Sequence, residues 1–264
     1  MGPPGGGRKG TAPVNRSRIN LLLGETLKAL LRPAGYTITP LRRRAEYIDA
    51  EETIQAARSA GQTVPEYVAS LWGEVGVTEA VVGQLAACGA LEPCARVVEI
   101  GPGTGRYLAP VLERVRPAQY DSYELDDGWA EYLTATHGVT RQETDGESLP
   151  GTPDASCGLV QAHNVFVYLK PLVAFRYFQE MARVCAPGGF LVFDYYPDEE
   201  ISEETLLSWL EHPERYPVLL SQRRVNAFFE KLGFRRVHAF PNRCYRGVAS
   251  YEVYRKAEAD ARVT

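Results

Sequence analysis

The sequence predicts an α/β fold in which a seven-stranded, mostly parallel sheet carries helices on both faces. From Arg96 onward, short apolar runs alternate with segments of helical periodicity, which is the pattern of repeated β–α units on a parallel sheet. Before this point the periodic segments are helical. A length of 264 residues suffices for one large domain with an added segment, which we interpret as an N-terminal helical lid.

The apolar runs give the expected bounds of each element. Strands are predicted at residues 96–100, 119–124, 138–144, 157–163, 189–195, 234–239 and 249–256. Helices are predicted at residues 19–31, 45–60, 65–72, 78–91, 171–185, 202–212 and 222–232. We therefore expect a disordered tail over residues 1–13, a helical lid over residues 14–94 and the sheet domain over residues 95–264.

Composition narrows the class of protein. The net charge of −4 lacks the basic excess of a general nucleic-acid binder, so no nucleic-acid partner is expected. Five cysteines without a CxxC pair indicate neither a disulfide framework nor a zinc site, and they fit a reducing cytoplasm. The chain has neither the apolar run of a signal peptide nor one long enough for a membrane span. These features predict a cytoplasmic protein.

A glycine-rich turn follows the first predicted strand, with Gly101, Gly103 and Gly105 at alternate positions and Glu99 two residues before them. Glycines let the backbone approach a ligand closely, and a helix N-terminus beyond the turn offers free N–H groups. In a dinucleotide motif the third glycine would lie at Arg106, which makes a nucleotide-dependent oxidoreductase the weaker interpretation. The form E-x-G-x-G-x-G resembles motif I of the class I methyltransferases that use S-adenosyl-L-methionine (SAM), whose sheet is Rossmann-like.

This resemblance covers residues 96–256 and implies roles for further positions. Glu124, at the end of the second strand, would hold the ribose hydroxyls, and Asp145, after the third, would meet the adenine amine. Ala162 lies in the strand-four loop that lines the methyl-transfer site, and residues 186–190 resemble the Pro-Gly-Gly turn before strand five. The implied cofactor-binding residues are Glu99, Gly101, Gly103, Gly105, Glu124, Asp145 and Ala162. From the residues alone, Glu124 could equally be a surface strand end and Asp145 a helix cap.

Two residues at strand ends are the predicted catalytic groups. His163, in the strand-four loop, has an ordinary pKa that suits proton abstraction, although packing against the adenosyl group is an alternative role. Asp194, at the end of strand five, could orient acceptor hydroxyls or help to hold a divalent ion such as Mg²⁺. The sequence leaves open whether a metal ion binds, because it shows no cluster of three possible ligands. The strand-four loop also lacks the Asn/Asp-Pro-Pro-aromatic motif of enzymes that methylate amino groups.

The segments PEYVASLWG, EIGPGTGRYL and AHNVFVYL also resemble bacterial sugar O-methyltransferases of the actinobacterial and mycobacterial type. This resemblance implies a small-molecule or oligosaccharide acceptor, such as a mannose or glucose unit of a polymethylated polysaccharide. Two alternatives stay open: a methyltransferase acting on a phenolic, polyketide or amine natural product, and a non-catalytic SAM-binding protein. The sequence also leaves open whether the protein forms a homodimer.

Overall fold

The structure is a computed structural model, and it describes residues 48–211, 218–244 and 247–258. The predicted tail over residues 1–13 and the predicted helix over residues 19–31 lie outside these ranges. No helix in the described ranges is long and apolar enough to cross a membrane.

Three helices precede the sheet: α1 (Ala50–Ser59), α2 (Val64–Trp72) and α3 (Val77–Ala87). Their starts have local causes. The Asp49 side chain accepts a hydrogen bond from the Glu52 N–H at the start of α1, and Thr63 and Glu66 form a capping box at the start of α2. Gly73, in the left-handed conformation, ends α2. The predicted helices at residues 65–72 and 78–91 are therefore present, the second ending four residues earlier than predicted.

All seven predicted strands are present, and a two-residue strand that was not predicted brings the sheet to eight strands in the described ranges. They are β1 (Arg96–Ile100), β2 (Gln119–Tyr123), β3 (Thr140–Arg141), β4 (Cys157–Ala162), β5 (Cys185–Pro197), β6 (Leu219–Leu220), β7 (Phe234–Cys244) and β8 (Gly247–Lys256). The order is β3-β2-β1-β4-β5-β8-β7, with β6 paired to β5. Among the described strands, β8 alone runs in the opposite direction to the rest, because it pairs antiparallel with both β5 and β7. The mostly parallel α/β architecture is confirmed.

Helices cover both faces of this sheet. The remaining helices are α4 (Leu108–Val115), α5 (Asp127–His137), α6 (Pro171–Val184), α7 (Glu203–Glu211) and α8 (Gln222–Lys231). On one face α6 and α8 pack through Phe178 and Phe229 against the sheet. On the other face α3, α4 and α5 pack through Leu85, Leu108 and Leu133. Removing these side chains from water drives the two-sided packing.

Three strands differ most from their predicted bounds: β3, β5 and β7, the last of which ends at Cys244 instead of residue 239. β3 spans only two residues instead of residues 138–144, and both are exposed at the edge of the sheet. β5 begins at Cys185 and takes up the predicted Pro-Gly-Gly turn, where Gly188 has a φ of +74° and the register with β4 shifts. The extra residues of such an irregularity bend a strand without ending it. The sequence order of the strands reverses between β1 and β4, which is where open α/β sheets bind ligands.

Candidate active site

The glycine-rich turn joins β1 to α4 and follows the predicted pattern. Gly101, Gly103 and Gly105 have φ values of +59°, +52° and +75°, a region that other residues rarely adopt. A Cβ at Gly101 would lie 2.9 Å from Val165 Cγ2, and one at Gly105 would lie 2.7 Å from Leu133 Cδ2. A Cβ at Gly103 would meet nothing within 4 Å. The outer two glycines therefore serve packing, whereas the middle one borders open space that a ligand could occupy.

Glu124 follows β2 directly and is tied to this turn. Its carboxylate accepts hydrogen bonds from the Gly103 N–H at 2.8 Å and from the Asp126 N–H at 3.0 Å. The neighbouring Leu125 is 68 % exposed, and its side chain lies beside Gly146. Sequence reasoning did not single out Leu125, although an aliphatic residue next to the predicted ribose-binding carboxylate was a usable signal. The strand end thus offers a carboxylate and an open apolar side chain together.

Asp145 lies in an exposed loop after β3. Its Oδ1 accepts hydrogen bonds from the Glu147 and Ser148 N–H groups, and its Oδ2 accepts one from Ser148 Oγ at 2.8 Å. The backbone hydrogen bond from Glu147 is the main cause that lowers the pKa of Asp145. These contacts make the side chain a cap for its own turn, the alternative left open by the sequence. Contact with adenine stays a prediction.

Glu99 and Ala162, the remaining predicted cofactor residues, are both buried. Tyr120 donates a short hydrogen bond to Glu99, and Gln161 Nε2 donates to the Tyr120 hydroxyl at 2.9 Å. Burial raises the pKa of Glu99 to about 7. The Ala162 side chain belongs to the apolar core. Ala162 can therefore face a ligand only through its backbone.

His163 follows β4 and is 6 % exposed. Its ring stacks on Tyr107 with centroids 4.1 Å apart, and its Nδ1 lies 3.1 Å from the Tyr251 hydroxyl. Its Nε2 is buried and has no hydrogen-bond partner among the described residues. Burial, and secondarily the positive charge of Arg106, lowers the pKa of His163 to about 3. The imidazole is consequently neutral at neutral pH.

Asp194 lies in β5 opposite Tyr251 of β8 and is fully buried. Its Oδ1 accepts a hydrogen bond from the Asn164 N–H at 2.7 Å, and its Oδ2 has no partner within the described ranges. Asn164 has a φ of +57°, which asparagine tolerates better than most residues. Burial raises the pKa of Asp194 to about 7. The two predicted catalytic residues are thus connected through Asn164 and Tyr251.

Arg106, Tyr107 and Tyr251 complete this cluster and were not predicted as site residues. Tyr107 begins the helix after the glycine turn, and its position was the only sequence signal for it. Tyr251 comes from β8 and gave no local signal. Arg106 forms an ion pair with Glu74 at 2.6 Å. No group of three or more His, Cys, Asp or Glu residues in the described ranges is arranged to hold a metal ion.

The sheet order, the glycine turn and the carboxylate after β2 together define a Rossmann-like methyltransferase fold. Residues 98–193 match the family described as a methyltransferase domain. Similar solved structures include the magnesium protoporphyrin IX methyltransferase of Synechocystis PCC 6803 with bound S-adenosylhomocysteine (SAH). The two sequences are 12% identical. The match covers 92% of this chain and 100% of the Synechocystis chain, with a TM-score of 0.55.

Two further structures are similar. A geranyl diphosphate methyltransferase in complex with SAM is 12% identical, with 68% of this chain and 85% of that chain covered and a TM-score of 0.54. The mitomycin 7-O-methyltransferase is 23% identical, with 81% of this chain and 62% of that chain covered and a TM-score of 0.51. No curated protein matches the chain. The predicted enzyme class, a SAM-dependent methyltransferase, is confirmed, whereas these likenesses leave the sugar acceptor unconfirmed.

Proposed function

We propose that this chain transfers the methyl group of SAM to a hydroxyl of a carbohydrate, either a small molecule or an oligosaccharide. One observation carries the hydroxyl assignment. Asp194 Oδ2 and His163 Nε2 are buried without partners in the described part of the chain. When the His163 proton is on Nδ1 and is donated to Tyr251, both atoms are hydrogen-bond acceptors. An acceptor hydroxyl is a matching donor.

The cofactor residues fit SAM at one end of the turn. The Glu124 carboxylate retains lone pairs for a vicinal diol, so it would accept hydrogen bonds from the ribose hydroxyls. Leu125 would cover the adenine, since an exposed aliphatic side chain gains by burial. The open space beside Gly103 would hold the part between ribose and methionine. When bound, SAM supplies an activated methyl group on its sulfonium sulfur.

In this proposal Asp194 is the base, a role that the sequence assigned to His163. The reason is burial, which leaves the pKa of Asp194 at about 7 and that of His163 at about 3. A base is most effective when its pKa lies near the working pH. Asp194 would take the hydroxyl proton as the acceptor oxygen bonds to the methyl carbon and the carbon–sulfur bond breaks. His163, held by Tyr107 and Tyr251, would orient that hydroxyl.

The compartment is also an inference. We infer that the protein works in the cytoplasm, because Cys88, Cys94, Cys157 and Cys185 are free thiols. Free cysteines are typical of a compartment in which glutathione keeps thiols reduced.

A phenolic or polyketide natural product is the second candidate acceptor. Leu206, Leu207 and Leu210 on α7 are exposed, and Trp209 of the same helix packs against Tyr196 at the end of β5. This apolar helix beside the strand end would suit an apolar acceptor. The likeness to the mitomycin 7-O-methyltransferase is in keeping with this candidate.

Transfer of labelled methyl from SAM to a panel of glycosides, phenols and amines tests the proposal. We expect labelled glycosides with the wild type and a large loss with Asp194→Asn, while SAH affinity stays within a few-fold. Asp198→Asn, an exposed position four residues further on, is the matched control and should keep full activity. Labelling of phenols or amines without any glycoside would contradict the carbohydrate assignment.

A further inference from the structure

Arg106 carries a buried positive charge whose hydrogen bonds are incomplete. Its side chain is 5% exposed, its Nη1 pairs with Glu74 Oε2 at 2.6 Å, and its Nε donates to Thr78 Oγ1 at 3.0 Å. Its Nη2 is also buried but finds no acceptor among the described residues. A buried donor of a charged group is costly to leave unpaired, so this N–H group calls for a partner that is anionic or strongly polar.

The position of Arg106 narrows the choice of partner. It follows Gly105 directly and so ends the turn that borders the open space at Gly103. Its guanidinium carbon lies 5.4 Å from the centroid of the Tyr107 ring, and its charge contributes to the low pKa of His163. The unpaired N–H group therefore belongs to the region where the glycine turn meets the end of β4.

We propose that Arg106 Nη2 binds the α-carboxylate at the amino-acid end of the cofactor. This inference rests on the proposed function, in which Glu124 holds the ribose. SAM has one anionic group, its carboxylate, and a guanidinium is a strong, directional donor to a carboxylate. Glu124 and Arg106 lie at the start of the β2–α5 loop and at the end of the glycine turn, so a ligand lying along the turn would reach both.

The same arginine ties the cofactor to the N-terminal helices. Glu74 lies between α2 and α3, and Thr78 lies in the first turn of α3. A carboxylate on Nη2 would complete a hydrogen-bond network that already spans these helices and the glycine turn. Arg106 is thus a cofactor-binding residue that also holds the helical segment in place.

Calorimetry with two ligands tests this assignment. SAM and decarboxylated SAM differ only in the carboxylate, so the ratio of their dissociation constants isolates that group. We expect the wild type to bind SAM roughly 10–100-fold more tightly, the range of one charge-assisted hydrogen bond. The double variant Arg106→Met/Glu74→Gln removes both buried charges, which avoids an unpaired glutamate, and should bring the ratio close to one.

Two controls keep the test decisive. Glu74→Gln alone retains the guanidinium and should keep most of the ratio, even if both affinities fall. Arg106→Lys keeps the charge with a different geometry and should keep part of the ratio, which also covers the case that the double variant does not fold. An unchanged ratio in the double variant, or a wild-type ratio near one, overturns the Arg106 assignment. Failure of the wild type to bind either ligand overturns the proposed function as well.

Discussion

Replacing Asp194 by asparagine should stabilise the fold at high pH while removing the proposed base. The side chain is fully buried, and asparagine has nearly the same shape. An asparagine Oδ1 can keep the hydrogen bond from the Asn164 N–H, which is 2.7 Å long in the wild type. The substitution therefore removes mainly the ionisable group, and its effect on the free energy of unfolding should depend on pH.

The direction follows from proton binding. Burial raises the pKa of Asp194 from 3.8 to about 7, so between these values the folded protein holds a proton that the unfolded chain releases. Stability is consequently lost as pH rises through this range and levels off above about pH 7. At 1.36 kcal/mol per pKa unit the full loss is about 4 kcal/mol, of which roughly 3 kcal/mol falls between pH 5 and pH 8.

Urea denaturation of both proteins at pH 5 and pH 8 measures this effect. Relative to the wild type, the asparagine variant should gain roughly 3 kcal/mol in unfolding free energy between the two pH values. Glu99 also has a raised pKa, but both proteins contain it, so its contribution cancels in the difference. Turnover should meanwhile fall by ~10²–10⁴-fold. If the stability difference between the two proteins is the same at both pH values, the buried Asp194 carboxyl does not have a raised pKa.

Three further predictions address the cofactor turn, the histidine and the helices. Gly103→Ala should weaken SAH binding at least tenfold in calorimetry, whereas Gly233→Ala, with a similar positive φ and free space, should leave it unchanged. His163→Ala should lower turnover, while the rise of the pH–rate profile near pH 7 should persist. A shift of that rise would indicate that His163, and not Asp194, is the base. Hydrogen exchange at residues 67–72 should slow when SAH is added, and unchanged exchange would argue against a lid.

Local signals in the sequence predicted the elements that flank the glycine turn. An apolar run followed at once by Gly101 marks the end of a strand by itself, and β1 has the predicted bounds. The strand β6 has no such signal. Its two leucines form a strand only because Tyr196 and Pro197 of β5 pair with them. Pairing of this kind depends on the tertiary fold, so a single sequence does not show it.

The candidate site likewise combines residues with a local sequence signal and residues whose placement depends on the tertiary fold. His163 and Asp194 could be predicted as neighbours, because parallel strands bring their carboxyl ends to one edge. Tyr251, which contacts both strand ends, lies 88 residues beyond His163 on the antiparallel β8, and its register is not encoded locally. The pKa values also depend on burial, which the sequence does not give. Hence the sequence could place the two residues at one site, but it could not predict which of them would have a pKa near neutral pH. Their catalytic role stays a prediction.

The burial of this site bears on how an acceptor could reach it. Asp194 is fully buried and His163 nearly so, so a hydroxyl can approach them only when a covering segment moves. The helices α1 and α2 pack in a small apolar cluster of their own around Trp129, outside the two main cores. Segments with few buried apolar contacts open at the lowest free-energy cost. We propose that these helices, joined to the glycine turn through Glu74 and Arg106, move to admit the acceptor and close once the cofactor is bound.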